Sequence, residues 1–419
     1  MDLVYAAGAA VSSPVWGWNL LRTGKWRTDW RGRLGHVPAK PQAAGKRLLI
    51  HAVSVGEANL VRMLVELLER EHPEVEVVLS ATTNTGIARA LQLYGERHAV
   101  VRFPLDFSRA VERFLDAVQP DAVALVENEV WPNFTEACAR RGIGLCVING
   151  RLSERSHRRY ALLRPVVRRM YARLDAVAAQ TPDYAARFVD LGTAADRVDV
   201  LDTMKWDTAH VTREVEGSDA LAVELGIDRT RPLIVAGSTG PGEEKLLLDA
   251  CPSDVQLLVA PRKPERFDEV AALSPAIVRR TRPDARPPTP DTRLFLLDTL
   301  GELRKAYALA DVCVVGRSFL GLYGSDVMEP VALGKPTVIG PHHSDFADSV
   351  AALRDAGGLQ VIEAADLRRT LADLLADRDR ASQLAKRGVE VILSRQGATQ
   401  RHAKLLTRLL RFCNVESFA

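Results

Sequence analysis

Short, continuous apolar runs alternate with stretches of helical period along most of this sequence. The runs Arg47–Ser54, Glu76–Ala81, Ala99–Leu105, Ala122–Glu127, Leu145–Asn149, Ala176–Gln180 and Val198–Leu201 carry Val, Ile and Leu on consecutive residues. A parallel strand reads this way when helices cover both faces of its sheet. Helices are expected between them, as at Leu60–Glu71 and Ser108–Val118. The pattern is βαβ, which implies a doubly wound sheet. It lapses over Lys205–Ser218 and restarts at Pro232–Ser238, Val255–Ala260, Ile277–Arg280, Leu294–Leu297, Val312–Gly316, Thr337–Ile339 and Leu359–Ile362. A proline-rich stretch, Arg282–Pro290, reads as a loop inside this second sheet, and residues 385–419 read as helix.

A chain of 419 residues suits two domains at roughly 100–200 residues each. The expected division is an N-terminal membrane-interface segment at 1–35 and a first Rossmann-like domain at 36–204. A linker at 205–218, a second Rossmann-like domain at 219–395 and a C-terminal helix at 396–419 follow. Two such α/β domains would face each other across a cleft, with ligands outside the carboxyl ends of the strands.

Net charge is +3, from 56 basic and 53 acidic residues, too balanced to imply a nucleic-acid partner. Charge is unevenly placed, however. Arg151 to Arg173 holds eight arginines and one histidine against the single acid Glu154. That segment is either a solvated helical face or a surface for anions. The five cysteines are scattered without a CxxC pair, as expected of free thiols in a reducing compartment. Residues Leu3 to Leu21 are mostly apolar but contain Ser12, Ser13, Pro14, Gly17 and Asn19, which makes a poor membrane span. Trp16 and Trp18 precede a basic run from Arg22 to Arg33, a combination suited to the membrane interface. The same segment could instead pack on the protein's own core.

Candidate chemistry sits after the strands. The first strand ends in Ser54-Val55-Gly56-Glu57, where a carboxylate can act as a general base. Ser54-x-x-Glu57 is equally a capping-box pattern. The fourth strand ends in Glu127-Asn128-Glu129-Val130-Trp131-Pro132, two acids that need pairing or exposure. Lys205, in Thr203-Met204-Lys205-Trp206-Asp207, could steady a developing negative charge or pair with a surface acid. In the second domain, Gly237-Ser238-Thr239-Gly240-Pro241-Gly242 is a small-residue turn between strand and helix, ready for phosphate. Pro261-Arg262-Lys263 places two cations after a strand. Gly301-Glu302-Leu303 and Asp326-Val327-Met328-Glu329 follow, and a helix glutamate such as Glu329 can accept ribose hydroxyl hydrogens. Together these describe a nucleotide held across the second domain. Nothing in the sequence groups residues as metal ligands.

The ordered motifs HAVSVGE, ATTNTG, ENEVWPN, GRLSERS, TMKWD, AGSTGPGEE, APRKPERF, GELRKAY, VVGRS, MEPVALGKP and GPHHSDF resemble those of the 3-deoxy-D-manno-octulosonic acid (Kdo) transferases, from about Trp26 to at least Phe346. The resemblance implies a GT-B fold and an inverting transfer of Kdo from CMP-Kdo to a lipid A precursor, lipid IVA, at the cytoplasmic face of the inner membrane. It implies no cofactor besides the donor substrate, and an anionic membrane surface as partner for the N-terminal segment and the arginines. Glu57 matches the family's catalytic base. Glu129, with Glu127, matches its acidic pair, and Lys205 its lysine before an aromatic-Asp pair. Ser238, Thr239, Pro261, Arg262, Lys263, Gly301, Glu302, Leu303, Asp326, Val327, Met328 and Glu329 fall at donor-binding positions.

Three departures from the family's motifs stand out. Lys263 stands where the family usually has histidine, Asp326 where it has asparagine, and Asp202-Thr203 where it has Gly-Asn. Lys263 could offset Asp326 near an anionic nucleotide. A transferase for another nucleotide sugar, a nucleotide-sugar epimerase of similar shape, or a catalytically silent binder of lipid or a partner remain as alternatives at this point.

Overall fold

The structure of the protein, a computed structural model, describes residues 1, 2, 5, 28–39, 45–282, 289 and 291–412. The apolar segment expected at 3–21 lies almost wholly outside the described residues, as does most of the proline-rich loop. The chain forms two compact units: Met1–Thr208 with Gly397–Ala419, and Ala209–Gln396. Every run expected as a strand forms one, with ends shifted by a few residues.

In the first unit, β1 (Arg47–His51), β2 (Glu76–Ala81), β3 (Ala99–Arg102), β4 (Ala122–Val126), β5 (Gly144–Gly150), β6 (Ala176–Ala179) and β7 (Val198–Val200) make one sheet. Their order is β3-β2-β1-β4-β5-β6-β7, and all neighbours are parallel. The chain leaves β1 in one direction and returns to lay β4 on its other side. The β1/β4 boundary is therefore the topological switch point, where ligands of doubly wound sheets bind.

The sequence could run apolar on consecutive residues because both sheet faces are covered. Leu64, Leu68 and Tyr94 pack one face together with Leu406 and Leu410 of the last helix, Ala398–Phe412. Phe114, Phe134, Tyr171 and Phe188 fill the other face. The helix expected over 385–419 is broken, because Gly397 adopts φ 90 between Arg378–Arg395 and Ala398–Phe412. Asp207 then accepts the N–H groups of Gly397 and Thr399, capping the last helix within the first unit.

The second unit repeats the plan. β8 (Leu233–Thr239), β9 (Gln256–Pro261), β10 (Ile277–Arg279), β11 (Leu294–Leu296), β12 (Val312–Val315), β13 (Thr337–Ile339) and β14 (Gln360–Val361) lie in the order β10-β11-β9-β8-β12-β13-β14. They too are parallel, with the switch point between β8 and β12. No helix among the described residues is long and apolar enough to cross a membrane.

Leu406 is fully buried against the first sheet. Leu406→Ala should leave a cavity there and destabilise the first unit by about 2–5 kcal/mol. Chemical denaturation followed by circular dichroism checks this.

Candidate active site

Glu57 stands on the helix Val55–Leu60, directly after β1. Its Oε2 accepts the Val53 N–H at 2.9 Å, and its Oε1 accepts the Ser54 hydroxyl at 2.9 Å. The reciprocal half of a capping box is missing, because the Ser54 side chain accepts no helix N–H. A carboxylate offers about four acceptor positions, so two hydrogen bonds leave Glu57 able to take another hydrogen. Burial pushes its carboxyl up to about 7; the Val53 and Ser54 hydrogen bonds oppose this, and the charges of Glu127 and Glu129 add to it. A base with that value is half ionised at neutral pH, where general bases work best.

Glu127 and Glu129 reach the same electrostatic neighbourhood from the end of β4, across the switch point. Glu127 has φ 60, a left-handed conformation unfavourable for a side chain with a Cβ. Asn128 between them is gripped by Tyr171, whose hydroxyl donates to Oδ1 at 2.7 Å. Trp131 donates its indole N–H to Glu129 Oε2 at 3.0 Å. Burial holds the Glu129 carboxyl above the usual range, helped by Glu127 and opposed by Trp131. The first unit thus gathers three half-buried carboxylates at one strand-end site, all three of them expected from the sequence.

Lys205 lies in a short 3-10 turn, Met204–Trp206, set in place on both sides. The Met204 N–H donates to Asn149 Oδ1 at 3.0 Å, and Trp206 is 2% exposed. No ion pair engages the half-buried Lys205 ammonium among the described residues, so the surface-acid alternative finds no partner there. Asp202, where the family usually has glycine, holds φ 63, and its carboxylate meets Arg401 of the last helix at 3.2 Å. Aspartate tolerates that conformation better than most residues, which lets the turn survive without glycine.

In the second unit the small-residue turn differs from expectation. Glu243 is fully buried and accepts N–H groups from Gly240, Arg317, Ser318 and Phe319. One amide of the turn expected to cradle phosphate, that of Gly240, therefore holds the protein's own carboxylate, together with three amides that follow β12. Thr239 is 1% exposed and donates its hydroxyl to Glu244 at 2.6 Å, so its side chain is internal too. Ser238 sits on a bulge of β8 with φ 55 and stays partly open. Pro261 closes β9 and is buried, whereas Arg262 is exposed and without a side-chain partner among the described residues. Lys263 stands 3.8 Å from Glu265, both well exposed.

Gly301 has φ 86 and open space around it. Glu302 precedes the helix Leu303–Leu309; burial pushes its carboxyl up, but Thr299 and Arg280 outweigh this and hold it below the usual range. Val327 and Met328 are buried wall residues, and Asp326 is exposed, accepting the Met328 N–H at 2.9 Å. Glu329 is half-buried, and its carboxylate forms no hydrogen bond among the described residues. Burial raises its carboxyl, Arg304 lowers it and Asp326 raises it further. The buried Tyr307 feels both Glu329 and Asp326, and it lies so close to Gly237 that a Cβ there would meet its hydroxyl at 2.0 Å. These contacts place Glu329 beside the β8 end of the switch point.

Glu243, Asn149 and His402, whose Nε2 accepts the Asn149 N–H at 3.0 Å, carry no functional signal in the sequence. The first was hidden among ordinary helix acids; the other two act at long sequence separation. Among the described residues no group of three or more His, Cys, Asp or Glu is arranged to hold a metal ion.

Two parallel doubly wound units with acids and cations at their strand ends define the GT-B fold. Solved structures share it at low identity: a glycosyltransferase of Rickettsia africae (11% identical, TM-score 0.58, 88% of this chain and 99% of that one) and a UDP-GlcNAc 2-epimerase of Neisseria meningitidis (12%, TM-score 0.55, 86% and 100%). Fold alone does not choose between those activities. Sequence does. The family described as 3-deoxy-D-manno-octulosonic-acid transferase (kdotransferase) matches residues 28–208. A 3-deoxy-D-manno-octulosonic acid transferase of Bordetella pertussis is 34% identical over 415 residues, covering 92% of this chain and 94% of its own. The chain belongs to the Kdo transferase family, glycosyltransferases of lipopolysaccharide biosynthesis.

Because the Glu127 charge helps raise Glu57, Glu127→Gln should move the Glu57 titration down from about 7 toward 4.5. Carboxyl-carbon NMR titration of the two proteins checks the direction.

Proposed function

We propose that this transferase moves Kdo from CMP-Kdo to lipid IVA, with Glu57 as the base. The supporting observation is the Glu57 carboxyl itself, pushed up to about 7 at the switch point of the first unit. Glu57 takes the proton from an acceptor sugar hydroxyl. The freed oxygen attacks the anomeric carbon of Kdo, the bond to the phosphate of CMP breaks, and CMP departs with the electron pair. One displacement inverts the anomeric centre. No second carboxylate is needed as acid, unlike in a glycosidase pair, because CMP leaves readily.

The other residues divide between holding and charge balance. Glu127 and Glu129 keep Glu57 basic and offer carboxylates to acceptor hydroxyls. Lys205 and Arg262, neither with a salt-bridge partner among the described residues, meet the negative charge that grows on the leaving phosphate. Glu329 accepts from the ribose hydroxyls, the role its unengaged half-buried carboxylate suits. Ser238, Lys263, Gly301, Glu302, Leu303, Asp326, Val327 and Met328 shape the donor pocket; Pro261 and Thr239 support it from within. The step is drawn without metal or cofactor, and the enzyme works as a peripheral protein on the cytoplasmic face of the inner membrane.

CMP release from CMP-Kdo, with lipid IVA as acceptor, tests this reading. Glu57→Gln should lower the rate by about 10²–10⁴-fold. For the native enzyme kcat/KM should rise with pH and level off above about 7, since only ionised Glu57 accepts a proton. EDTA should leave the rate unchanged. Release that survives Glu57→Gln would return Glu57 to a structural role, and no release from CMP-Kdo by the folded native chain would reject the donor.

A further inference from the structure

The arginine-rich segment of the first unit folds into two short helices, Glu154–Ala161 and Arg164–Tyr171, joined at Leu162 and Leu163. The first helix buries none of its residues. At the joint, Leu162 is 83% exposed and Leu163 63%, with Val166 also exposed. Isolated surface leucines are ordinary, but neighbouring apolar residues rimmed by charge mark an interaction surface. The rim here is cationic. Arg155, Arg159, Arg168 and Arg169 are exposed and form no ion pair among the described residues. Arg158 and Arg164 are paired with Glu154 and Asp190.

The joint is held in shape. Leu162 and Leu163 donate their N–H groups to the carbonyls of Arg159 and Tyr160, and the second helix starts by accepting at Leu163. His157 and Arg164 both fasten the pair to Asp190 of the helix Pro182–Leu191. Val167, Met170 and Tyr171 anchor the second helix in the core. Two leucines are therefore presented on a firm base within a field of unpaired guanidinium groups.

We propose that the Leu162–Leu163 joint is a membrane contact, its leucines entering the acyl boundary while Arg155, Arg159, Arg168 and Arg169 meet anionic lipid headgroups. Apolar insertion beside cations is the chemistry of an interfacial anchor. The position also fits the reaction. Tyr160, two residues before Leu162, and Tyr171, at the end of the second helix, both bond to Asn128 between Glu127 and Glu129. A joint seated on the bilayer would hold the acid turn near an acceptor whose acyl chains stay in the membrane. This rests on the reading of the enzyme as a peripheral membrane protein.

Co-sedimentation of the full chain with vesicles tests it, using phosphatidylcholine alone and an equimolar mixture with phosphatidylglycerol. The native chain should bind the anionic vesicles, and added salt should weaken binding as it screens the arginines. Leu162→Ser with Leu163→Ser should weaken binding about tenfold or more, since two large apolar side chains leave the lipid. Arg159→Glu with Arg169→Glu should abolish the preference for anionic vesicles. Both pairs are exposed, so thermal unfolding should match the native chain, and activity on detergent-dispersed acceptor should persist. If both variants bind as the native chain does, the joint is not the contact, although membrane association stands. If the native chain binds neither vesicle, the peripheral-membrane reading falls and the joint with it.

Discussion

The working end of the first unit hangs on Asn149. This residue, next to last in β5, has φ 51 and is fully buried. Its N–H donates to His402 Nε2 at 3.0 Å, its carbonyl accepts from Gln180 at 2.8 Å, and its Oδ1 accepts from Met204 at 3.0 Å. One residue, through its backbone and its side chain, thus ties two strand ends to the turn that carries Lys205 and to the last helix. His402 can accept only with its other nitrogen protonated, and Nδ1 accordingly faces the Ala398 carbonyl at 2.7 Å. Burial pushes His402 down to about 4, so the neutral, accepting tautomer persists at neutral pH.

In each unit the backbone takes left-handed conformations where the chemistry is expected. Glu127, Ser238 and Arg317 all take left-handed conformations, with φ of 60, 55 and 59. Each follows or ends a strand flanking a switch point. Such conformations cost roughly 1–3 kcal/mol each and persist only where surrounding bonds fix them. In the second unit the fixing group is Glu243, whose carboxylate collects N–H groups from both sides of the switch point. A buried carboxylate with that many donors is stable without a cation. It joins the strand ends, whereas Arg262 and Glu329 stand outside that network.

That division explains what could be read from the sequence and what could not. Strands were legible because parallel sheets covered on both faces demand consecutive apolar residues, a pattern as plain at Leu145–Asn149 as at Val312–Gly316. Glu57 and the Glu127–Glu129 pair were legible because they follow those strands directly. The occupant of the Gly237–Gly242 turn was not. A run of small residues says that something must approach the backbone, and the sequence cannot say whether a ligand's phosphate or Glu243 does so. The return of the last helix to the first unit was equally hidden, since Asp207, His402 and Leu406 signal nothing until their distant partners are known.

Two titratable groups stand at the end of β1, and their contrast bears on which can accept a proton. His51 would be the customary base, with an ordinary value near neutrality. Here it is fully buried, stacked on Phe103 at 3.6 Å and bonded to Ser80, and burial pushes it down to about 3. An imidazole so depressed holds its place as a neutral packing element and takes up a proton poorly at pH 7. Burial acts in the opposite sense on Glu57, because for an acid it is the ionised form that burial disfavours. The same apolar strand end that disables the histidine brings the carboxylate to about 7. Glu127 and Glu129 reinforce that rise, and the two local hydrogen bonds keep it from going further. A carboxylate can therefore do at this site what histidine ordinarily does elsewhere.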